Sequence, residues 1–298
     1  MTEPITDTAL IFEGGGMRGA YTSAMAVVLI EAGLDFRWVA GISAGSSMTC
    51  NYIAKSPERA RQAFVEIAAD PLLGNWRTFL RGQGLFNSHY IYQVSGLPGQ
   101  AFPFDYDAFM ANPADFRIGG FNARSGEQTW WSKRDIGDIR DLMTRVQASS
   151  TMPILMPPVT LDGEVYVDGA LGGTGGIAID KAEADGFSKF VIVLTQPRSY
   201  VKGPQRFSRY IRQHYRRYPA VYEALADRHV RYNDAREHIF ELEKAGRAYV
   251  FAPETMPITN GERNLNKLWA AHRLGLDQAR RELPAIREFV TRSRERRT

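Results

Sequence analysis

The sequence predicts an α/β protein with a mainly parallel sheet, and three observations lead to this expectation. Short apolar runs alternate with stretches of helical spacing from the start of the chain. Glycines end several of these runs, which marks turns between elements. The run at residues 190–195 is apolar up to its last residue, as in a strand whose sheet is covered on both faces. Strands that alternate with helices favour the α/β class.

The first part of the chain reads as strand, helix, strand, followed by two more helices. Helical spacing after the first strand ends before Gly33, a residue suited to the end of a helix. Gly41 stops the second strand, and Pro57 opens the last of these helices. The predicted elements are strands at residues 9–13 and 36–40 and helices at 19–32, 44–54 and 57–69.

The middle of the chain contains a hairpin and two further core strands. An Arg-Ser-Gly turn at residues 124–126 joins two runs rich in aromatic and branched residues, which is a hairpin signal. The predicted elements are strands at residues 116–122, 127–131, 164–167 and 190–195 and a helix at 138–148.

The last third of the chain is mainly helical. We predict helices at residues 206–218, 220–244 and 263–282, a strand at 247–251, and a final helix opened by Pro284. We expect residues 8–200 to form the α/β domain. Residues 201–298 are expected to form a helical extension packed on or beside it.

Length and composition limit the classes of protein to which this chain can belong. The 298 residues suffice for one large α/β domain and an appendage. The lone Cys50 excludes an intramolecular disulfide. Residues 1–7 lack the basic and apolar segments of a secretory signal, and no run approaches the roughly 18 apolar residues of a membrane span. The sequence therefore predicts a cytoplasmic protein.

Two glycine motifs near the start of the chain point to acyl chemistry. Gly41-Ile-Ser43-Ala-Gly45 is a Gly-x-Ser-x-Gly nucleophile elbow, which presents a serine on a sharp strand-to-helix turn. The glycine run before it supplies backbone N–H groups at a helix start, as an oxyanion requires. That run comprises Gly14, Gly15, Gly16, Arg18 and Gly19. Together the motifs indicate a serine acyl hydrolase.

Other interpretations of these motifs fit less well. The glycine run also matches the dinucleotide fingerprint, but Asp35 precedes the second strand, whereas the ribose-binding acid should follow it. In an α/β-hydrolase, several strands precede the nucleophile, and only two fit before Ser43. The histidines lack any setting that would mark a catalytic base. They are His89, His214, His229, His238 and His272.

Asp168 is the alternative candidate for the base. It ends the predicted strand at residues 164–167 and is followed by Gly169 and Ala170. That position lies at the same sheet edge as Ser43. An ordinary Asp-Gly turn is the competing interpretation of this fragment, and Asp162-Gly163 is expected to be only such a turn.

Taken together, these motifs resemble the patatin-like phospholipase family. The glycine run, the elbow, the Ala-Ser block at residues 148–153 and Asp168-Gly169-Ala170 follow in that family's order and spacing, and the resemblance covers about residues 9–195. The resemblance implies a three-layer αβα sandwich with a mainly parallel sheet. The helical C-terminal third is similar to the extensions of bacterial members. A second glycine is common in the family where this chain has Ala170.

The resemblance also implies roles and a reaction. Ser43 would be the nucleophile and Asp168 its proton acceptor. The amides of Gly14 to Gly16 would form the oxyanion hole, and Arg18 would bind an anionic head group or brace the loop. The implied activity is hydrolysis of acyl lipids or phospholipids without metal or other cofactor. The alternatives are a carboxylesterase or thioesterase for soluble esters and a non-catalytic lipid-binding module. Substrate preference and oligomeric state stay open.

A basic segment gives a further expectation. Residues 186–222 contain no acidic residue and eight basic ones. The helix predicted at residues 206–218 carries one apolar and aromatic stripe, which we expect to pack on the sheet. The alternative is contact with anionic lipid at the inner face of the membrane. Nucleic acid is not expected, because no recognised binding module accompanies the segment. The stripe comprises Phe207, Tyr210, Ile211, His214, Tyr215 and Tyr218.

Overall fold

A computed structural model describes residues 3–81, 85–204 and 209–292. Its eight strands form one sheet of order β5-β6-β3-β2-β1-β7-β8, with β4 paired to β3. The strands are β1 (Ala9–Phe12), β2 (Trp38–Ile42), β3 (Asp115–Asn122), β4 (Gln128–Trp131), β5 (Val159–Leu161), β6 (Glu164–Asp168), β7 (Phe190–Val193) and β8 (Ala248–Phe251). Strands β3, β2, β1, β7 and β8 are parallel, and β4, β5 and β6 are antiparallel to their neighbours. The expected mainly parallel sheet is confirmed.

Helices cover both faces of this sheet. They are α1 (Gly19–Glu31), α2 (Ala44–Ile53), α3 (Pro57–Gln62), α4 (Trp76–Leu80), α5 (Tyr106–Ala111), α6 (Ile139–Ser150), α7 (Ile179–Ala184), α8 (Arg209–His214), α9 (Pro219–Lys244) and α10 (Leu265–Thr291). Along β1, Leu10 and Phe12 join the core formed with α1, α2 and α10, whereas Ala9 and Ile11 join the core formed with α7 and α9. Because successive strand residues face opposite sides, an all-apolar strand serves two cores.

Several element boundaries differ from the prediction. Strand β2 begins at Trp38 and includes Gly41. The helix predicted at residues 57–69 is two pieces, because α3 ends at Gln62 and a 3₁₀ turn follows at Glu66–Ala69. Strand β5 was not predicted; its three residues pair with β6 across the Asp162-Gly163 turn, where both φ angles are positive.

The expectation that Pro284 opens a new helix is wrong. Pro284 lies inside α10, which runs unbroken for 27 residues. A proline in a helix removes one backbone donor and crowds the preceding turn. The helix nevertheless continues, because Ile286 and Val290 beyond the proline are buried in the core.

The basic segment is only partly described. Helix α8 covers Arg209–His214. Phe207 of the predicted stripe and Arg206 at the start of the predicted helix lie outside the described residues. Tyr215 is buried against Phe121 and Val167 of the sheet, as expected for a stripe that packs inward. Its hydroxyl accepts a hydrogen bond from the backbone N–H of Ile154 at 2.8 Å. Membrane contact through this segment stays a prediction.

The C-terminal region is built into the fold. Strand β8 pairs with β7 and extends the sheet, α9 packs over β8, and α10 packs along α1. Gly275 of α10 meets α1 so closely that an added Cβ would lie 2.3 Å from the Tyr21 carbonyl oxygen. Nearby, the Ser23 hydroxyl of α1 lies 3.0 Å from Nδ1 of the buried His272. Among the helices that the structure describes, none has the length and apolar content to cross a membrane.

This contact makes a prediction about stability. In an exposed helix, Gly→Ala stabilises by up to about 1 kcal/mol. Gly275→Ala should instead lower the free energy of unfolding by about 1–3 kcal/mol, because the new methyl group must displace α10 from the α1 backbone. Urea denaturation measures the difference. Leu274→Ala, at a side chain that is 46% exposed, is the matched control. A more stable Gly275→Ala variant would contradict the packing described.

Candidate active site

Ser43 stands on a strained turn between β2 and α2. Its backbone has φ 57° and ψ −125°, a region that non-glycine residues rarely adopt. Two glycines make the turn possible. A Cβ on Gly41 would lie 2.0 Å from the Gly45 carbonyl oxygen, and a Cβ on Gly45 would lie 2.1 Å from that of Phe12. The elbow therefore requires glycine at both positions.

The hydroxyl of Ser43 donates a hydrogen bond to Asp168 Oδ2 at 2.8 Å. The sheet brings the two residues together: Ile42 pairs with Gly119 of β3, and Asp168 pairs with the next residue, Gly120. The second carboxylate oxygen, Oδ1, accepts the backbone N–H of Ala170 at 2.8 Å. Both side chains are buried. The pair thus combines a hydroxyl with an oriented carboxylate.

Burial raises the pKa of Asp168 above its ordinary value. The Ala170 N–H, the charge of Arg228 and the Ser43 hydroxyl each oppose this effect in part. A carboxylate with a raised pKa accepts a proton more readily, which suits a general base.

The Ala-Ser block braces both residues of this pair. Ser149 Oγ accepts the backbone N–H of Ser43 at 2.9 Å and donates to the Gly119 carbonyl oxygen at 2.6 Å. Two residues later, the Thr151 carbonyl oxygen accepts the backbone N–H of Asp168 at 2.8 Å. One segment of chain therefore fixes the backbones of Ser43 and Asp168 together.

The glycine run lies beside the elbow. Some of its backbone N–H groups already donate hydrogen bonds to described parts of the protein, and others do not. The N–H of Gly14 donates to the Gly176 carbonyl oxygen at 3.0 Å, and that of Met17 to the Asn260 carbonyl oxygen at 2.9 Å. The N–H groups of Gly15 and Gly16 have no acceptor within the described part of the chain. Gly16 has φ 56°, so the turn again favours glycine. Of the three amides expected to bind an oxyanion, two are available in this structure.

Glu13, which directly precedes the glycines, was missed in the sequence analysis. Its buried carboxylate accepts hydrogen bonds from the Tyr232 hydroxyl at 2.6 Å and from the backbone N–H of Thr195 at 2.5 Å. The Thr195 hydroxyl in turn donates to the Gly14 carbonyl oxygen at 3.1 Å. Glu13 thereby ties the glycine run to α9, a contact that no local pattern could reveal.

Arg18 is not among the described residues that line the apolar pocket described below. Burial lowers the pKa of Lys202 to about 8, with smaller contributions from the positive charges of Arg228 and Arg18. These three cations therefore lie near one another. The Nε atom of Arg18 is buried without a hydrogen-bond partner among the described residues.

Two arginines of α9 hold the loop that follows β6. Nε of Arg228 donates to the carbonyl oxygens of Ala170 and Gly175 at 2.9 and 3.2 Å. Nε of Arg231 donates to the Gly172 carbonyl oxygen at 3.2 Å. The sequence analysis did not single out either residue, because their partners lie more than fifty positions away.

A largely apolar pocket opens beside Ser43. It is formed by α2, α3, α6 and a π-helical turn at His89–Val94. Tyr92 of that turn faces the pocket, and burial together with the charge of Asp168 raises its pKa to about 12. The apolar side chains that line it include Phe64, Ile67, Leu73, Phe86, Phe104, Leu142, Met143 and Val146. Such a wall suits a hydrocarbon chain.

The histidines and Asp35, which were set aside in the sequence analysis, are not among the described residues that line this pocket. Among the described pocket residues there is no histidine. His272 is buried on α10, and burial lowers its pKa to about 4. Asp35 forms ion pairs of 3.0 Å with Arg37 and with Lys55 before β2.

Comparisons with known proteins agree with the family resemblance. The family model for patatin-like phospholipase matches residues 10–178, and a second model, for a domain of unknown function (DUF6363), matches residues 207–291. The uncharacterized protein YjjU of Escherichia coli K12 is 23% identical over 203 residues, which are 67% of this chain and 55% of that protein. The chain thus spans about half the length of this relative.

Among solved structures, the crystal structure of VipD from Legionella pneumophila is similar at a TM-score of 0.49 and 14% identity. The match covers 94% of this chain and 67% of that one.

The brace on Ser43 makes a prediction about stability. Ser149→Ala should lower the free energy of unfolding by about 1–3 kcal/mol, because it leaves a buried N–H and a buried carbonyl oxygen unpaired. Ser150→Ala is the matched control, since that neighbouring buried hydroxyl faces Tyr92 and holds no backbone group of the elbow among the described residues. Urea denaturation of both variants compares them. Equal effects would argue against the brace.

Proposed function

The chain belongs to the patatin-like phospholipase family, and from this premise we propose that it hydrolyses the ester bonds of acyl lipids with Ser43 as nucleophile and Asp168 as base. The observation that carries the proposal is the 2.8 Å hydrogen bond from the Ser43 hydroxyl to Asp168, made at a strained elbow beside an apolar pocket. Hydroxyl and base thus lie within the reach that general-base catalysis needs.

The proposed reaction begins with attack on the ester. Ser43 Oγ bonds to the acyl carbon while its proton passes to Asp168 Oδ2, and the carbonyl oxygen becomes an oxyanion. The free amides of Gly15 and Gly16 are the proposed donors to that oxyanion, each worth roughly 3–4 kcal/mol when well placed. The positive end of α2 stabilises negative charge on Ser43 Oγ.

The tetrahedral intermediate then collapses to an acyl-enzyme. The bond to the leaving alcohol breaks, and the alcohol takes the proton from Asp168. In the second half, Asp168 removes a proton from a water molecule that attacks the acyl carbon. Collapse releases the carboxylic acid and returns the proton to Ser43. The pocket beside Ser43 is the proposed seat of a hydrocarbon part of the substrate.

The activity itself is tested by covalent labelling. A fluorophosphonate should modify wild-type protein at Ser43, leave Ser43→Ala unmodified, and react far more slowly with Asp168→Asn, because the hydroxyl loses its base. Mass spectrometry of the adduct identifies the site. His272→Gln, at a histidine away from the pocket, is the control and should still be labelled.

A folded wild-type protein that resists the reagent would favour the lipid-binding alternative. Rapid labelling of Asp168→Asn would remove Asp168 from the role of base.

Arg228 should set the acid limit of activity. Asp168 must be ionised to act as a base, so kcat/KM should fall as the pH drops through its pKa. Since the charge of Arg228 lowers that pKa, Arg228→Gln should move the acid limb to higher pH. Arg228→Lys, which keeps the charge, should move it less. The pH profile of ester hydrolysis measures the shift.

Arg231→Gln is the control for this experiment. It loosens the same loop, but its charge is not among the influences on Asp168. The electrostatic role of Arg228 would be contradicted if the acid limb of the pH profile did not shift in Arg228→Gln. It would also be contradicted if the limb shifted equally in Arg231→Gln.

A further inference from the structure

The apolar pocket contains one charged side chain among its described residues, Arg59 of α3. Its Nε atom donates to the Phe102 carbonyl oxygen at 2.9 Å. A terminal nitrogen, Nη2, lies 3.5 Å from the position that a Cβ on Gly96 would occupy, where the Met143 methyl group also packs. The guanidinium therefore lies in the pocket wall among apolar groups.

Arg59 has no carboxylate partner within the described part of the chain. Burial lowers its pKa to about 10, and the one other group that acts on it is the buried Cys50 thiol. Arg59 is only partly buried, but a cation set in an apolar wall without an anion still loses hydration, and proteins normally supply a counter-charge there. Two other arginines near the site, Arg228 and Arg231, use their guanidinium groups to donate hydrogen bonds to loop carbonyl oxygens.

The position of Arg59 relative to Ser43 follows from α2. Ser43, Ser47 and Cys50 line the pocket along this helix, and Arg59 lies beside Cys50. Seven residues of α-helix span about 10 Å. Cys50 therefore lies about 10 Å along α2 from Ser43, and Arg59 lies near Cys50 in the wall of the same pocket.

We propose that Arg59 binds an anionic group on the part of the ester that enters this pocket. The substrate class would then be esters with a hydrocarbon segment that ends in a carboxylate or phosphate. The anion has two chemical sources: the far end of a carboxylated acyl chain, or the phosphate of a glycerol head group. This inference rests on the proposed ester hydrolysis and names its substrate.

The test compares matched esters. For the acyl side, the pair is p-nitrophenyl octanoate and the mono-p-nitrophenyl ester of suberate. For the head-group side, the pair is octanoylglycerol and octanoylglycerol phosphate. Wild-type protein should favour the anionic member of one pair by about 10-fold or more in kcat/KM, as a charged hydrogen bond permits. The pair that shows the preference identifies the source of the anion.

Variants assign the preference to the residue. Arg59→Met should lower kcat/KM for the anionic ester about 10-fold more than for the neutral ester, which abolishes the preference, and Arg59→Lys should restore part of it. Arg61→Gln is the matched control on the same helix, because Arg61 pairs with Glu66 at 2.8 Å outside this pocket. An equal loss of activity on both members of a pair in Arg59→Met would indicate that Arg59 only supports the Phe102 loop, and would overturn the inference.

The result separates this inference from the proposed function. If wild-type protein cleaves neutral esters but discriminates against or ignores the anion in both pairs, the role of Arg59 is wrong and the hydrolase stands. If it cleaves no ester, calorimetric titration with suberate and with octyl phosphate tests Arg59 directly. Binding that Arg59→Met abolishes would support the anion site, and the absence of binding to wild-type protein would reject it.

Discussion

The backbone of Ser43 is the constraint on which the site depends. A non-glycine residue at φ 57° and ψ −125° is destabilised by about 1–3 kcal/mol and persists only when its surroundings enforce it. Three features do so: glycines at positions 41 and 45 allow β1, β2 and α2 to approach, and the Ser149 hydroxyl holds the Ser43 N–H. The strain directs the hydroxyl towards Asp168 at the end of the sheet.

The site is also held together across the length of the chain. Asp168 is fixed by Thr151 on one side, and the loop after it is fixed by Arg228 on the other. Glu13 connects the glycine run to Tyr232 of α9. Because α9 and β8 come from the C-terminal region, the geometry of the N-terminal motifs depends on a segment that carries no comparable motif of its own.

Sequence reasoning succeeded where a local pattern determines structure. The elbow follows from glycine spacing. The meeting of Ser43 with Asp168 was expected from strands ending at one sheet edge, but β6 runs antiparallel to β3, and the pairing of Asp168 with Gly120 is what brings the two residues together. It failed where contacts between residues far apart in the sequence determine the local structure. Pro284 was expected to open a helix, but packing of α10 on α1 overrides the local preference. Glu13 and Arg59 escaped notice because a lone charged residue gains significance only from its neighbours in space.

The position of β8 has a consequence for the order of events during synthesis. Strand β7 is buried throughout, and its open side is covered only when β8 pairs with it. Residues 194–247 separate the two strands in the chain. At typical rates of translation, this interval keeps an apolar parallel edge uncovered for roughly 3–10 seconds. Such an edge is a template for pairing with other chains. A nascent chain of this protein that has formed its first seven strands therefore exposes an unpaired strand edge until β8 has been synthesised.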